Sequence, residues 1–333
     1  MRVLFLLAIA TAAGRALSAQ EPPPAFRAGT RVVEVTLAAT HARNKFALRD
    51  LLAPPVGDLR ATGLRLFDNG VEEIIASYEK LGQAGAPASS DAQPQRLSII
   101  VLDALNTSNT GYSEQIYGRE GVSHMLSKLP PGDRIAIFAL GDKLHLLHDF
   151  STDYGSLRAA VDKYQAGQPA NWVEYFPGQL SETIRIRDTL QALKQIAEAT
   201  KNYPGRKSLL WVSAAFPTQV AMTVFHREAA EAMRELGVAD VVLYPISPEG
   251  VRGAKQLDSM MEMAAPTGGR VFHGSNDVAA LVRGAMDDAR EGYLLTFVPK
   301  DYLEDGSFHN LRITSSRKGV DLRYRPGYVA DRH

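Results

Sequence analysis

Cysteine is absent from all 333 residues, which excludes disulfide staples, thiolate metal sites, a cysteine nucleophile and a lipid-modified N-terminal cysteine. An excess of one charge is also missing. The 37 Lys and Arg balance 37 Asp and Glu, so no field steers the chain onto nucleic acid or an anionic membrane. There is no G-x-G-x-x-G, and the Gly268-Gly269 pair follows a predicted helix, as a cap does, instead of preceding one. Nucleotide binding is therefore unsupported. What is present is 45% hydrophobic content, ample for one large core or two domains of about 150 residues each.

The chain opens with Arg2, an apolar run over residues 3–13, and small residues at Ala16, Ser18 and Ala19. This is the order of a secretory signal peptide, and the run is far below the roughly 20 apolar residues of a spanning helix. Residues 20–24 (QEPPP) follow as a breaker with no element to join. We expect residues 1–19 to be a cleavable signal, cut between Ala16 and Gln20. The remainder is expected to be exported, to the periplasm or outside in a bacterium, with no transmembrane segment once the signal is removed.

Val33, Val35 and Leu37 alternate with Glu34, Thr36 and Ala38, the period of a half-buried strand. Residues 63–78 read as a hairpin turning at Asp68-Asn69-Gly70. Residues 25–80 thus predict a small β unit, and residues 81–96, rich in Ala, Gly, Ser, Pro and Gln, an exposed linker. Residues 97–102 (LSIIVL) are a continuous apolar run, as in a strand covered on both faces. Beyond it come helix 113–129, strand 134–140, helices 154–165 and 183–202, strand 207–213, helix 223–236, strand 240–246, helix 254–265, strand 270–272 and helix 276–290. Such alternation predicts an open, mainly parallel sheet with helices on both faces, over residues 97–291. Strand patterns return at 293–298, 309–315 and 320–325, and residues 292–330 are expected to pair with the N-terminal unit, since either piece alone is too small to be stable. The predicted fold class is α/β: a doubly wound sheet inserted in a small β-sandwich.

Several stretches carry a family resemblance: VLDALNT (101–107), LPPGDRIAIFALGD (129–142), LHDFSTD (147–153), PGRKSLLWVSAAFP (204–217), Gly268-Gly269, LRYRPGYVA (322–330) and LRLFDNGVEEI (64–74). Over nearly the whole mature chain they resemble the von Willebrand factor type A-related family described from Acidobacteria. The resemblance implies a Rossmann-like type A fold without an assigned activity. Related type A domains bind ligands through a metal-ion-dependent adhesion site, built from D-x-S-x-S after the first strand, a Thr from a later loop and an Asp after the fourth strand. These oxygens suit a hard divalent cation and leave one position for a ligand carboxylate. Here Asp103 matches the first Asp and Thr107 the second Ser, while Leu105 stands where the first Ser belongs and Ser213 where the second Asp belongs. The Thr is either Thr183 or Thr189, and Asn106 and Asp142 offer further oxygens. The resemblance thus implies a degenerate site holding Mg²⁺ weakly, if at all, through Asp103 and Thr107.

Other chemistries find less support. An aspartyl phosphatase needs a second Asp where Leu105 sits, and Ser213 lacks the flanking glycines of a hydrolase elbow. His145 and His148 lie three apart in an edge-strand pattern that turns them to opposite faces. Trp172, Tyr175 and Phe176 fall in a loop-like stretch and either seal it onto the sheet or offer contacts to a partner. The expectation is a secreted, non-catalytic interaction module that presents this edge to an unknown protein partner. A hydrolase using polar groups at the same edge is the alternative.

Overall fold

The computed structural model describes residues 32–41, 56–81, 96–106, 112–165, 179–203, 205–214, 216, 225–250, 257–300 and 305–330. The expected signal segment, most of the expected linker, Thr107, Trp172, Tyr175 and Phe176 lie outside the described residues. Four strands come early: β1 (Val33–His41), β2 (Leu64–Asp68), β3 (Val71–Glu73) and β4 (Ile75–Leu81). The central segment carries β5 (Arg96–Asp103), β6 (Asp133–Leu140), β7 (Leu144–Ser151), β8 (Lys207–Val212) and β9 (Val241–Ile246). Its helices are α1 (Tyr112–Lys128), α2 (Tyr154–Lys163), α3 (Gln179–Thr200), α4 (His226–Val238), α5 (Leu257–Ala264) and α6 (Val278–Arg290). The chain ends in β10 (Gly292–Phe297), β11 (Phe308–Ser315), β12 (Val320–Tyr324) and β13 (Gly327–Val329).

Early and late strands interleave. One sheet runs β12-β1-β10-β4 and the other β13-β11-β2-β3, so neither terminal piece owns a complete sheet. Val35 and Leu37 of β1, Leu66 of β2, Leu295 and Phe297 of β10 and Ile313 of β11 share one apolar core, as the inner faces of a sandwich do. Residues 63–78 do not form the single hairpin expected. The turn is there, with Asn69 at φ 46° and Gly70 at φ 86°, the paired positive values of a tight hairpin turn. At Ile74, 75% exposed, the strand breaks, and β4 crosses to pair with β10 in the other sheet.

The central sheet has the order β7-β6-β5-β8-β9. Its strands are parallel except β7, an antiparallel edge strand beside β6. The period of two in β5 explains why both faces are covered. Ile99 and Val101 enter a core shared with α3, α4 and α5, whereas Ile100 and Leu102 enter one shared with α1, α2 and α6. The sheet is thus doubly wound and mainly parallel, inserted between the two halves of the sandwich, as the sequence leads one to expect. The expected strand over 270–272 shrinks to a single bridge between Ile246 and Phe272. Gly268 caps the preceding turn at φ 79°, and Gly269 passes so close to β9 that an added Cβ would lie 1.9 Å from the Leu243 carbonyl oxygen. Asp288 of α6 joins the two parts: its Oδ1 accepts from Arg270 at 2.9 Å and from Arg323 of β12 at 2.7 Å. Among the described residues, no helix is long and apolar enough to cross a membrane.

Candidate functional site at the carboxyl edge

Parallel register builds this site. Val101 of β5 lies beside Trp211 of β8, so one step further along the same face Asp103 meets Ser213. Both lie beneath α3, which supplies Thr189 from above. Asp103, Asn106, Thr189, Trp211 and Ser213 are all buried. The Asn106 backbone N–H donates to Asp103 Oδ1 at 3.0 Å, and Asn106 Nδ2 donates to Asp103 Oδ2 at 2.8 Å. Trp211 Nε1 donates to the same Oδ2 at 2.8 Å, and the Ser213 side chain also hydrogen-bonds the carboxyl. The second hydrogen of Asn106 Nδ2 goes to Thr189 Oγ1 at 2.8 Å, and Thr189 in turn donates to the Arg185 carbonyl at 2.7 Å.

A carboxylate offers about four lone-pair directions. Here three donors from Asn106 and Trp211 and a hydroxyl from Ser213 address them. Burial pushes the Asp103 carboxyl above its ordinary pKa, against the pull of these hydrogen bonds. The described residues do not fit Mg²⁺. A cation would have to displace N–H groups that cannot turn away, because the indole is fixed in the core and the Asn106 N–H in the turn. Leu105 adds no oxygen and packs with Leu140, Ile186 and Leu190 in the α3-side core. Among the described residues, no group of three or more His, Asp and Glu is placed to hold a metal.

The remaining expected residues separate. Thr189, and not Thr183, joins the Asp103 network; Thr183 is half-buried an earlier turn and a half along α3. Asp142 stands outside the network, its side chain 69% exposed and bonded to His145 Nε2 at 3.0 Å. That bond holds the Asp142 carboxyl below its ordinary pKa. His148 Nδ1 contacts the Asp149 carbonyl oxygen at 2.7 Å, so the two histidines share no ligand. Burial raises the Tyr164 pKa, and the charges of Asp103 and Asp142 add to the rise. A narrow cleft lined by Asp103, Gln115, Arg119, Tyr164, Ser213 and Pro248 opens above the site, with a free volume of about 20 Å³. It admits about one water.

Trp211 is the member that sequence reasoning missed. The signal was available: the spacing 209, 211, 213 repeats 99, 101, 103, so aligning the two apolar runs puts the indole next to the carboxylate.

No family model and no curated protein matches the chain. Solved structures similar to it include an aerotolerance-related membrane protein from Bacteroides fragilis carrying multiple mutations to serine, at 10% identity and TM-score 0.39, covering 58% of this chain and 98% of that one. The conserved hypothetical protein BatB from Bacteroides thetaiotaomicron is 11% identical at TM-score 0.37, covering 59% and 100%. Proximal thread matrix protein 1 from the mussel byssus is 11% identical at TM-score 0.41, covering 59% of this chain and 48% of that one. The fold assignment stands on the strand order and the two covered sheet faces described above.

Proposed function

We propose that the chain is an exported, non-catalytic protein-interaction module of the von Willebrand type A kind, whose carboxyl edge binds without a metal ion. The observation that carries this is the Asp103 carboxylate, whose lone pairs are taken by Asn106, Trp211 and Ser213. An acid so enclosed neither coordinates a cation nor reaches a substrate; it fixes the loop that follows β5. Two elements next to this edge carry exposed apolar groups suited to contact, Tyr117 on α1 at 58% and Leu146 near the start of β7 at 54%. A hydrolase would need a nucleophile activated by a base. Ser213 instead bonds the buried acid, and among the described residues no histidine lines the cleft beside it.

The test is site-specific photo-crosslinking in the native host. A photoreactive residue at Tyr117 or Leu146 should give the same adduct with and without chelator, and one at Val71 in the sandwich should not. Adducts that vanish on chelation, or that form equally at Val71, would refute the proposal. Export is checked on the same material by N-terminal sequencing, which should begin between residues 17 and 20; an intact Met1 would overturn it.

A further inference from the structure

Among the described residues, a trough of about 910 Å³ lies between α4 and β13, far roomier than the cleft of about 20 Å³ beside Asp103. Met233 and Val238 of α4 form one wall, and Phe308, Tyr328 and Val329 form the other. Val238 is 59% and Phe308 49% exposed, so two large apolar side chains face water there.

The second wall is a strand edge. Among the described residues β13 lies at the end of its sheet, paired only with β11. The phase of that ladder follows from its two ends. Leu311 N–H donates to the Pro326 carbonyl, and Ala330 N–H to the Ser307 carbonyl. Antiparallel pairs alternate between bonded and unbonded, so Pro326, Tyr328 and Ala330 turn their backbone groups toward β11. Gly327 and Val329 turn theirs outward. Gly327 also lets the Phe308 ring lie across the strand, where an added Cβ would come within 2.3 Å of it.

The charge of the trough has a sign. Arg234 on α4 and Arg325 before β13 line it against Glu262. The Arg325 Nη2 donates to the Glu34 carbonyl, while its Nε is buried without an acceptor among the described residues.

We propose that this trough binds an extended peptide segment of a partner protein, which adds as a strand along β13, buries alternate apolar side chains against Met233 and Phe308, and sets a carboxylate by Arg234 and Arg325. Strand addition takes its affinity from the main chain and its selectivity from alternate side chains, and both are present here. The site is separate from the carboxyl edge and does not rest on the proposal made for it.

The experiment uses the full chain and three fluorescent probes: an octapeptide alternating Val and Glu, one alternating Val and Lys, and a dansylated long-chain fatty acid. The Val-Glu peptide should bind saturably below about 1 mM and should slow hydrogen exchange at Gly327 and Val329. Arg234→Glu, at an exposed position, should weaken it about tenfold and favour the Val-Lys peptide. Val329→Pro, which removes an outward N–H while leaving the β11 ladder intact, should weaken both peptides. The proposal is overturned if neither peptide saturates, if both variants bind like the parent, or if only the fatty acid binds and exchange at β13 is unchanged.

Discussion

Asp103→Ala separates a structural acceptor from a metal ligand. The substitution strands two buried donors that cannot turn away, the Asn106 N–H and the Trp211 Nε1–H, which now meet Asp103 at 3.0 and 2.8 Å, while the Ser213 hydroxyl, which also bonds the carboxyl, can rotate. Asn106 Nδ2 keeps Thr189 at 2.8 Å and loses less. A stranded buried donor costs about 1–3 kcal/mol, and one entering water recovers part of that, so the expected loss is about 3–4 kcal/mol, or roughly 10 °C in Tm. Trp211→Phe removes one of the donors. In the double variant no indole N–H is stranded, and the pair should therefore be more stable than the sum of the single losses by about 1–2 kcal/mol. Urea denaturation of the four proteins, with and without about 1 mM Mg²⁺, reads this directly, and Asp103→Asn serves if the alanine variant does not fold. The reasoning fails if Asp103→Ala is neutral, if the cycle shows no coupling, or if Mg²⁺ stabilises the parent and not the variant.

Asp288→Ala should cost about 3 kcal/mol by calorimetry, because it removes a 3% exposed acid that accepts from both Arg270 and Arg323; a loss below about 1 kcal/mol would mean that other partners or water already serve the two cations. Asp142 should titrate below 3.8 by carbon-detected NMR, since His145 depresses it. Its small contribution is then present above 3.8 and lost as pH falls through the lower folded value, and His145→Ala should return the midpoint toward 3.8; an unchanged midpoint would break the assignment. Deleting residues 292–333 removes β10 from between β1 and β4 and β11 from beside β2. Hydrogen-exchange protection over residues 33–81 should collapse with it, and native-like protection would contradict the shared sandwich.

The layer order was legible because burial on two faces writes a continuous apolar run, as in residues 97–102, and the helices between carry a period of their own. The sandwich was harder. Glu72 to Tyr78 keeps a strand composition on both sides of Ile74, so composition does not reveal that the chain changes sheets there. β13 escaped notice because three residues between Pro326 and Ala330 are too few to show a period. At the site, the strand end located Asp103, Asn106 and Ser213, yet helical spacing alone left Thr183 and Thr189 equivalent. Only the placement of α3 over the sheet picks Thr189. Asp142 read as an edge oxygen because its loop reaches the edge; its side chain was taken by His145, a local partner three residues away.

The residues that differ from the adhesion-site pattern the sequence resembles act together in this network, and this sets the outcome of introducing one acid of that pattern. A divalent ion offsets the charge of two carboxylates; without it, a single buried carboxylate must find neutral donors. Ser213 supplies a hydroxyl in place of a second negative charge, and Trp211 supplies an N–H on the face of Oδ2. Ser213→Asp therefore sets two carboxyl groups side by side in a buried space whose donors are already committed to Asp103, where both cannot ionise readily. We expect the variant to lose about 2–4 kcal/mol near neutral pH, and to regain part of it on acidification as one carboxyl takes up a proton. Mg²⁺ at about 1 mM should not restore it, because the indole still occupies Oδ2. In the Ser213→Asp, Trp211→Phe background the indole is gone and Oδ2 keeps only the Asn106 side-chain N–H, which also bonds Thr189, so Mg²⁺ should raise Tm more than in Ser213→Asp alone. Calorimetric Mg²⁺ binding by Ser213→Asp alone, as tight as in the double variant, would show that the indole does not stand in for the ion.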